Sequence, residues 1–166
     1  MLLPDNIAAV LGGAWQFLNQ TSKYLNGTDR VTGGLGNHPV GILIYHPLGY
    51  VSVNLWSTDP GAIPAPADEY NDAEWALIGH HTLSYAGPLQ VWEGSNETRG
   101  TLTHGPLVMS SYPKWVVTDQ TRNYTVSAKA YEGRDVLLLW AQNIEKDSLS
   151  RLHWARAAEN GSSWAT

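Results

Sequence analysis

The sequence predicts an all-β protein: an eight-stranded antiparallel up-and-down barrel with one short helix as its lid. Three observations predict it. About eight runs of alternating apolar and polar residues follow one another at hairpin spacing, with Gly, Pro and Asn between most of them. One segment alone, Ala67 to Ile78, carries convincing helical periodicity. The hairpin His38–Trp56 holds no charge between Pro39 and Trp56, although Ser52, Asn54 and Trp56 alternate with Val and Leu. An ordinary half-exposed hairpin puts charges on its wet face. A closed barrel offers an enclosed face instead, and about eight strands leave room for side chains or one small ligand.

The elements justify themselves in order. Leu11 to Tyr24 reads as a strand in which Trp15, Phe17 and Asn19 share a face by the period of two. Asn26-Gly27 signals a turn, and Gly33-Gly34-Leu35-Gly36 a flexible loop. In the hairpin, Pro47 suits the first central position of a type I turn and Gly49 the left-handed position that closes it. Residues 57–66 are a loop rich in Pro and Ala. The helix 67–78 has Asp68 as cap, Tyr70, Ala73 and Leu77 at helical spacing, and Gly79 as stop. Strands then resume at His80–Trp92, Arg99–Ser110, Thr118–Ala128, Val136–Gln142 and Leu149–Arg156.

Composition bounds the function. At 166 residues the chain is expected to form a single domain over 1–166. Its 43% hydrophobic and 15% charged residues argue against disorder. With 8 Trp and 8 Tyr against 1 Phe, its aromatics combine an apolar body with a hydrogen-bonding atom, which suits a ligand wall as well as a core. Net charge is -5 and the 10 Lys and Arg form no stripe, so no nucleic-acid partner is expected. No apolar run reaches the roughly 18–20 residues of a membrane span, and no signal-peptide pattern opens the chain. A cytoplasmic location is the expectation. Five Asn-x-Ser/Thr sequons, headed by Asn19, Asn26, Asn96, Asn123 and Asn160, leave a secretory route open. The absence of cysteine removes disulfides, thiol catalysis and Cys-based zinc sites.

Several motifs resemble a known family. Gly13-Ala14-Trp15 resembles the Gly-x-Trp signature of lipocalins. Leu152-His153-Trp154-Ala155-Arg156 resembles their closing strand, whose Arg packs over that Trp. Gly41–Tyr45 with Gly49–Val53, Tyr85–Leu89, His104, Pro113–Val116 and Gln120–Arg122 are similar to the lipocalin-like domain family of bacteria and fungi, in order over about residues 11–157. The resemblance implies the barrel. Relatives in fungal natural-product pathways include cyclases and pericyclases, often longer and with two barrels, and no catalytic residue set carries over from them.

The candidate chemistry is sparse. There is no Gly-x-Ser-x-Gly elbow, and Gly34-Leu35-Gly36 lacks a third Gly and precedes a strand, so serine-hydrolase and dinucleotide chemistry are unsupported. Nearly all carboxylates fall outside strand interiors, against a paired-carboxylate glycosidase. His80-His81 points to opposite faces and makes a poor metal pair, and no metal or cofactor is expected. His104 lies mid-strand, as either a structural or a ligand-facing residue. Arg122 shares a face with Gln120 and Tyr124. It either meets a ligand oxygen or stacks on Trp15 or Trp154. His104, Arg122 and Tyr124 are the catalytic candidates. Asn54, Trp56, Tyr85, Gln120, Trp140 and Gln142 are the ligand-binding candidates. Together they suit a small hydrophobic or polycyclic aromatic molecule carrying carbonyl or hydroxyl groups. The expected activity is a cofactor-independent isomerase or cyclase acting on a polyketide- or terpenoid-type intermediate of secondary metabolism. The alternatives are a non-catalytic carrier and, more weakly, a haem barrel using His81, His104 or His153. A homodimer is compatible with the sequence.

Overall fold

The computed structural model describes residues 2–30, 33–36 and 38–164. Two short helices and nine strands follow in the order α1 (Asp5–Leu11), β1 (Gly13–Lys23), β2 (Val40–His46), β3 (Tyr50–Trp56), α2 (Asp72–His80), β4 (Thr82–Val91), β5 (Arg99–His104), β6 (Met109–Ser110), β7 (Gln120–Tyr131), β8 (Arg134–Asn143) and β9 (Ser148–Arg156). Short 3-10 helices lie at Pro113–Trp115 and Glu159–Trp164. Each of the eight longer strands pairs antiparallel with the next, and β9 returns to β1. The ladder therefore closes into the expected eight-stranded barrel. The two-residue β6 adds to β4 beyond the end of β5. Among the described residues no helix is long and apolar enough to cross a membrane.

One face of every strand meets the interior, and on β2, β3 and β8 large side chains, apolar but for the Tyr45 hydroxyl, take most of it. Leu43 and Tyr45 of β2, Val51, Val53 and Leu55 of β3, and Leu137 and Leu139 of β8 are all buried. Fully burying a Val or Leu is worth about 1.5–3 kcal/mol, which fixes the phase of each strand. Asn54 and Trp56 therefore face outward, as do Trp140 and Gln142. The reading that placed these four inside is corrected: the face of the hairpin that carries Ser52, Asn54 and Trp56 lies on the outside of the barrel. In β1 the register shifts between Phe17 and Asn19. That bulge leaves Asn19 exposed and turns Gln20 toward the interior, so the shared face of Trp15 and Phe17 stops there.

The two ends of the barrel differ. One end is plugged by α1, which the sequence reading missed. Leu3, Ile7 and Leu11 of this segment are buried, and Leu3 N–H donates to the Pro47 carbonyl in the β2–β3 turn. Trp15 Nε1 donates to the Leu11 carbonyl at 2.8 Å. Arg156 stacks on the Trp15 ring at 3.9 Å, as the family resemblance implied, and donates to the carbonyls of Gly12, at 2.6 Å, and Val10. The guanidinium thus covers orphan carbonyls at the end of α1.

The other end is built from longer connections. The helix there starts later than expected, because Asn71 and Glu74 form a reciprocal capping box, whereas Asp68 has no Glu or Gln three residues on. None of the α2 residues is buried, so this helix is not packed on the core as a lid. The expected strand Arg99–Ser110 breaks after His104, where Pro106 brings no N–H to a ladder. The expected flexible loop at 33–36 is closely packed at Gly34 and Gly36 and open at Gly33. A Cβ at Gly34 would sit 2.0 Å from the His80 carbonyl oxygen, and one at Gly36, whose φ is +70°, would sit 2.0 Å from Asp59 Oδ2.

Candidate functional site

Inside the barrel, away from α1, lies a cavity of about 370 Å³. Val53 and Leu55 of β3, Leu83 of β4, Leu139 of β8, and Leu152 and Trp154 of β9 give it apolar walls. Tyr85, His104, Gln120 and Arg122 put polar groups on one side of it, where β4, β5 and β7 run together. Asn143, Lys146 and Leu35 line it from the loop end. Leu35 belongs to the tight glycine loop, which Gln20 fastens by donating from Nε2 to the Gly36 carbonyl at 2.8 Å.

His104 sits at the centre of the polar side and is fully buried. Its Nε2 lies 2.7 Å from the Tyr45 hydroxyl, and its Nδ1 lies 3.0 Å from the Tyr85 hydroxyl. Burial, and then the nearby Arg122 charge, push the imidazole pKa down to about 3. The ring is therefore neutral at ordinary pH, with one nitrogen donating and the other accepting. Burial raises the Tyr85 phenol to about 12 against the opposing pull of Arg122, and raises Tyr45 well above the ordinary phenol range. Both phenols keep their protons.

Arg122 is half-buried on β7, opposite Leu102 of β5. Its Nη1 donates to the Thr121 carbonyl at 2.9 Å. Among the described residues it forms no ion pair, and it stacks on neither Trp15 nor Trp154. The cavity wall holds the cations Arg122 and Lys146 and no Asp or Glu. Trp154 also lines the space, and its buried indole N–H has no acceptor among the described residues.

The sequence candidates divide cleanly. Tyr85, His104, Gln120 and Arg122 come together around the cavity. Tyr124 points inward from the same strand but beyond the cavity, where its hydroxyl donates to the Asn96 carbonyl at 2.6 Å. That bond fastens the β4–β5 turn and takes Tyr124 out of the catalytic set. Asn54, Trp56, Trp140 and Gln142 lie outside, for the reason of phase given above. His153 faces outward too, so of the three haem candidates only His104 reaches the interior, with both nitrogens engaged. Sequence reasoning missed Tyr45, Gln20, Lys146 and the serines of β9. In β2 both faces are apolar (Ile42 and Ile44 against Leu43 and Tyr45), so alternation there carries no signal for which face is inside.

A larger concavity, of about 590 Å³, lies outside the barrel between β2, β3, β4 and α2. Val40, Ile42, Trp56, Ile78 and Trp164 line it, and it contains no titratable side chain. The interior cavity is smaller, but of these two it is the one that joins apolar walls to a cluster of perturbed polar groups, the combination that marks a ligand site.

A family model described as a lipocalin-like domain matches residues 12–157. The chain belongs to the lipocalin-like domain family. A lipocalin-like barrel is a small-molecule-binding fold, and the match covers every strand that lines the cavity. Comparison with curated proteins and with solved structures found no significant match.

Proposed function

We propose that this lipocalin-like barrel holds a small, largely apolar organic molecule in its interior cavity and acts as a cofactor-independent isomerase or cyclase. A polyketide- or terpenoid-type intermediate of secondary metabolism fits the cavity chemistry. The observation that carries the reading is the meeting of Tyr85, His104, Gln120 and Arg122 at one wall of an otherwise apolar space. Such a space holds a flexible carbon skeleton in one shape, and fixed N–H and O–H donors polarise a carbonyl without solvent reorganisation. His104 acts through the hydroxyls on either side, because a ring titrating near pH 3 is a weak proton acceptor at neutral pH. Arg122 and Tyr85 are the direct contacts.

A carrier role is the second reading. The same locked, neutral His104 favours it, since the site then has no free base. Extracting the ligand that copurifies with the protein, and incubating it with fresh apoprotein, separates the two. An enzyme returns an isomer or a cyclised product of equal mass, and Arg122→Ala abolishes that conversion. A carrier returns the compound unchanged. Conversion at the wild-type rate by both Arg122→Ala and His104→Ala overturns the proposed site.

A further inference from the structure

The two hydrogen bonds of His104 leave one phenol hydrogen over whichever way they run, and the direction decides whether that hydrogen belongs to Tyr45 or to Tyr85. Tyr45 is 1% exposed and does not line the cavity. The acceptor within reach of its hydroxyl is His104 Nε2, at 2.7 Å. If Nε2 carried the ring proton, the Tyr45 hydroxyl would accept it and its own hydrogen would point into dry core. Tyr45 therefore donates to Nε2. The ring proton then resides on Nδ1, the opposite of the tautomer an isolated histidine side chain prefers. Nδ1–H donates in turn to the Tyr85 oxygen, at 3.0 Å. Tyr85, unlike Tyr45, lines the cavity, and its hydroxyl hydrogen is left to donate there. Each bond in the row polarises the next, so the terminal donor is strengthened.

We infer that Tyr45 and His104 are positioning residues that aim the Tyr85 O–H into the cavity, where it and Arg122 together bind one anionic oxygen of the ligand, a carboxylate or an enolate. The inference rests on the reading of the interior as a ligand site and names the ligand chemistry that site selects. Charge in the wall supports it. Arg122 and Lys146 face the space with no acidic residue among its lining residues. A guanidinium that forms no ion pair among the described residues, in the same wall as a phenol donor, suits an oxyanion better than a neutral oxygen. The apolar remainder of the wall takes the carbon frame.

Two measurements test it, one without any ligand. In protein labelled with ¹⁵N-histidine, long-range proton–nitrogen correlation at pH 7 should show His104 neutral with its proton on Nδ1. Tyr45→Phe should lose that single tautomer. A wild-type spectrum with the proton on Nε2 overturns the relay. The second measurement compares 2-naphthoate with 2-methylnaphthalene by calorimetric titration. The wild type should bind the carboxylate at least about tenfold more tightly, as a charge-assisted hydrogen bond requires. Tyr85→Phe and Arg122→Met should each erase most of that preference, read as the ratio of the two affinities within one variant. Equal binding of the two probes by the wild type overturns the oxyanion site and leaves the cavity as a ligand site. Binding of neither probe overturns the cavity reading, and the inference with it.

Discussion

The guanidinium of Arg156 lies 3.9 Å from the centroid of the Trp15 ring while its nitrogens hold the carbonyls of Val10 and Gly12. One side chain thus joins the last strand, the first strand and α1. Arg156→Ala should remove a cation–π contact and charge-assisted hydrogen bonds together, costing about 3 kcal/mol. Urea unfolding checks this. The midpoint should fall with the slope unchanged, and Arg156→Lys should recover only part of the loss.

Leu11 is the innermost residue of α1 and is wholly buried. Leu11→Ala should destabilise by about 2–5 kcal/mol, as expected for a cavity opened in close-packed core. The exposed Leu2, at 67%, provides the contrast: Leu2→Ala should shift the urea midpoint hardly at all.

His104 also predicts a pH dependence. Its folded pKa, about 3, lies below the unfolded value of 6.5. Below pH 6.5 the unfolded chain binds a proton that the folded barrel refuses, so folding stability falls as pH drops and the loss ends near pH 3. The slope attributable to this one group is about 1.4 kcal/mol per pH unit. Urea midpoints of the wild type and His104→Gln, measured from pH 7 to 4, should converge as pH falls by that difference in slope. Parallel curves would mean that the ring titrates normally.

The outward residues offer a control for the site. Trp56→Ala, Trp140→Ala and Gln142→Ala should leave 2-naphthoate affinity within about twofold of wild type. Arg122→Met should lower it about tenfold. Calorimetric titration of the four variants decides whether the phase read from the barrel is the functional one.

Two of the five sequons have a structural reason. Asn26 Oδ1 accepts from both the N–H and the hydroxyl of Thr28, and Asn96 Oδ1 does the same with Thr98 and also takes the Arg99 N–H. In these two loops the Asn and the Thr two residues on close a turn between them. Asn96→Ala in protein made in bacteria, and so without glycan, should cost about 1–2 kcal/mol in urea unfolding.

The fold was legible because its signal is repetitive. Strand after strand at hairpin spacing admits few arrangements, and the Gly-Ala-Trp and Trp-Ala-Arg motifs tie the first strand to the last. The site was legible only where a strand gave a polar residue one neighbouring phase, as with Gln120 and Arg122 on β7. It failed on β3 and β8, where uncharged polar residues were given the interior although Val53, Leu55 and Leu139 gain more by taking it. The bulge in β1 that turns Gln20 inward leaves no local mark in the sequence, because it depends on how β9 pairs across it. The seven-residue α1 is too short to show a period, and packing, not propensity, makes it helical.

The barrel separates its two tasks along its own axis. Around Trp15 and Arg156 nearly every group is committed to its neighbour, and a change there costs stability. At the opposite rim, Leu35 and Lys146 sit on connections that could be exchanged without disturbing that anchorage. Such a scaffold can acquire a new guest by rewriting its rim while the foundation stays untouched, so descendants of one ancestor can share a base and differ in what they hold.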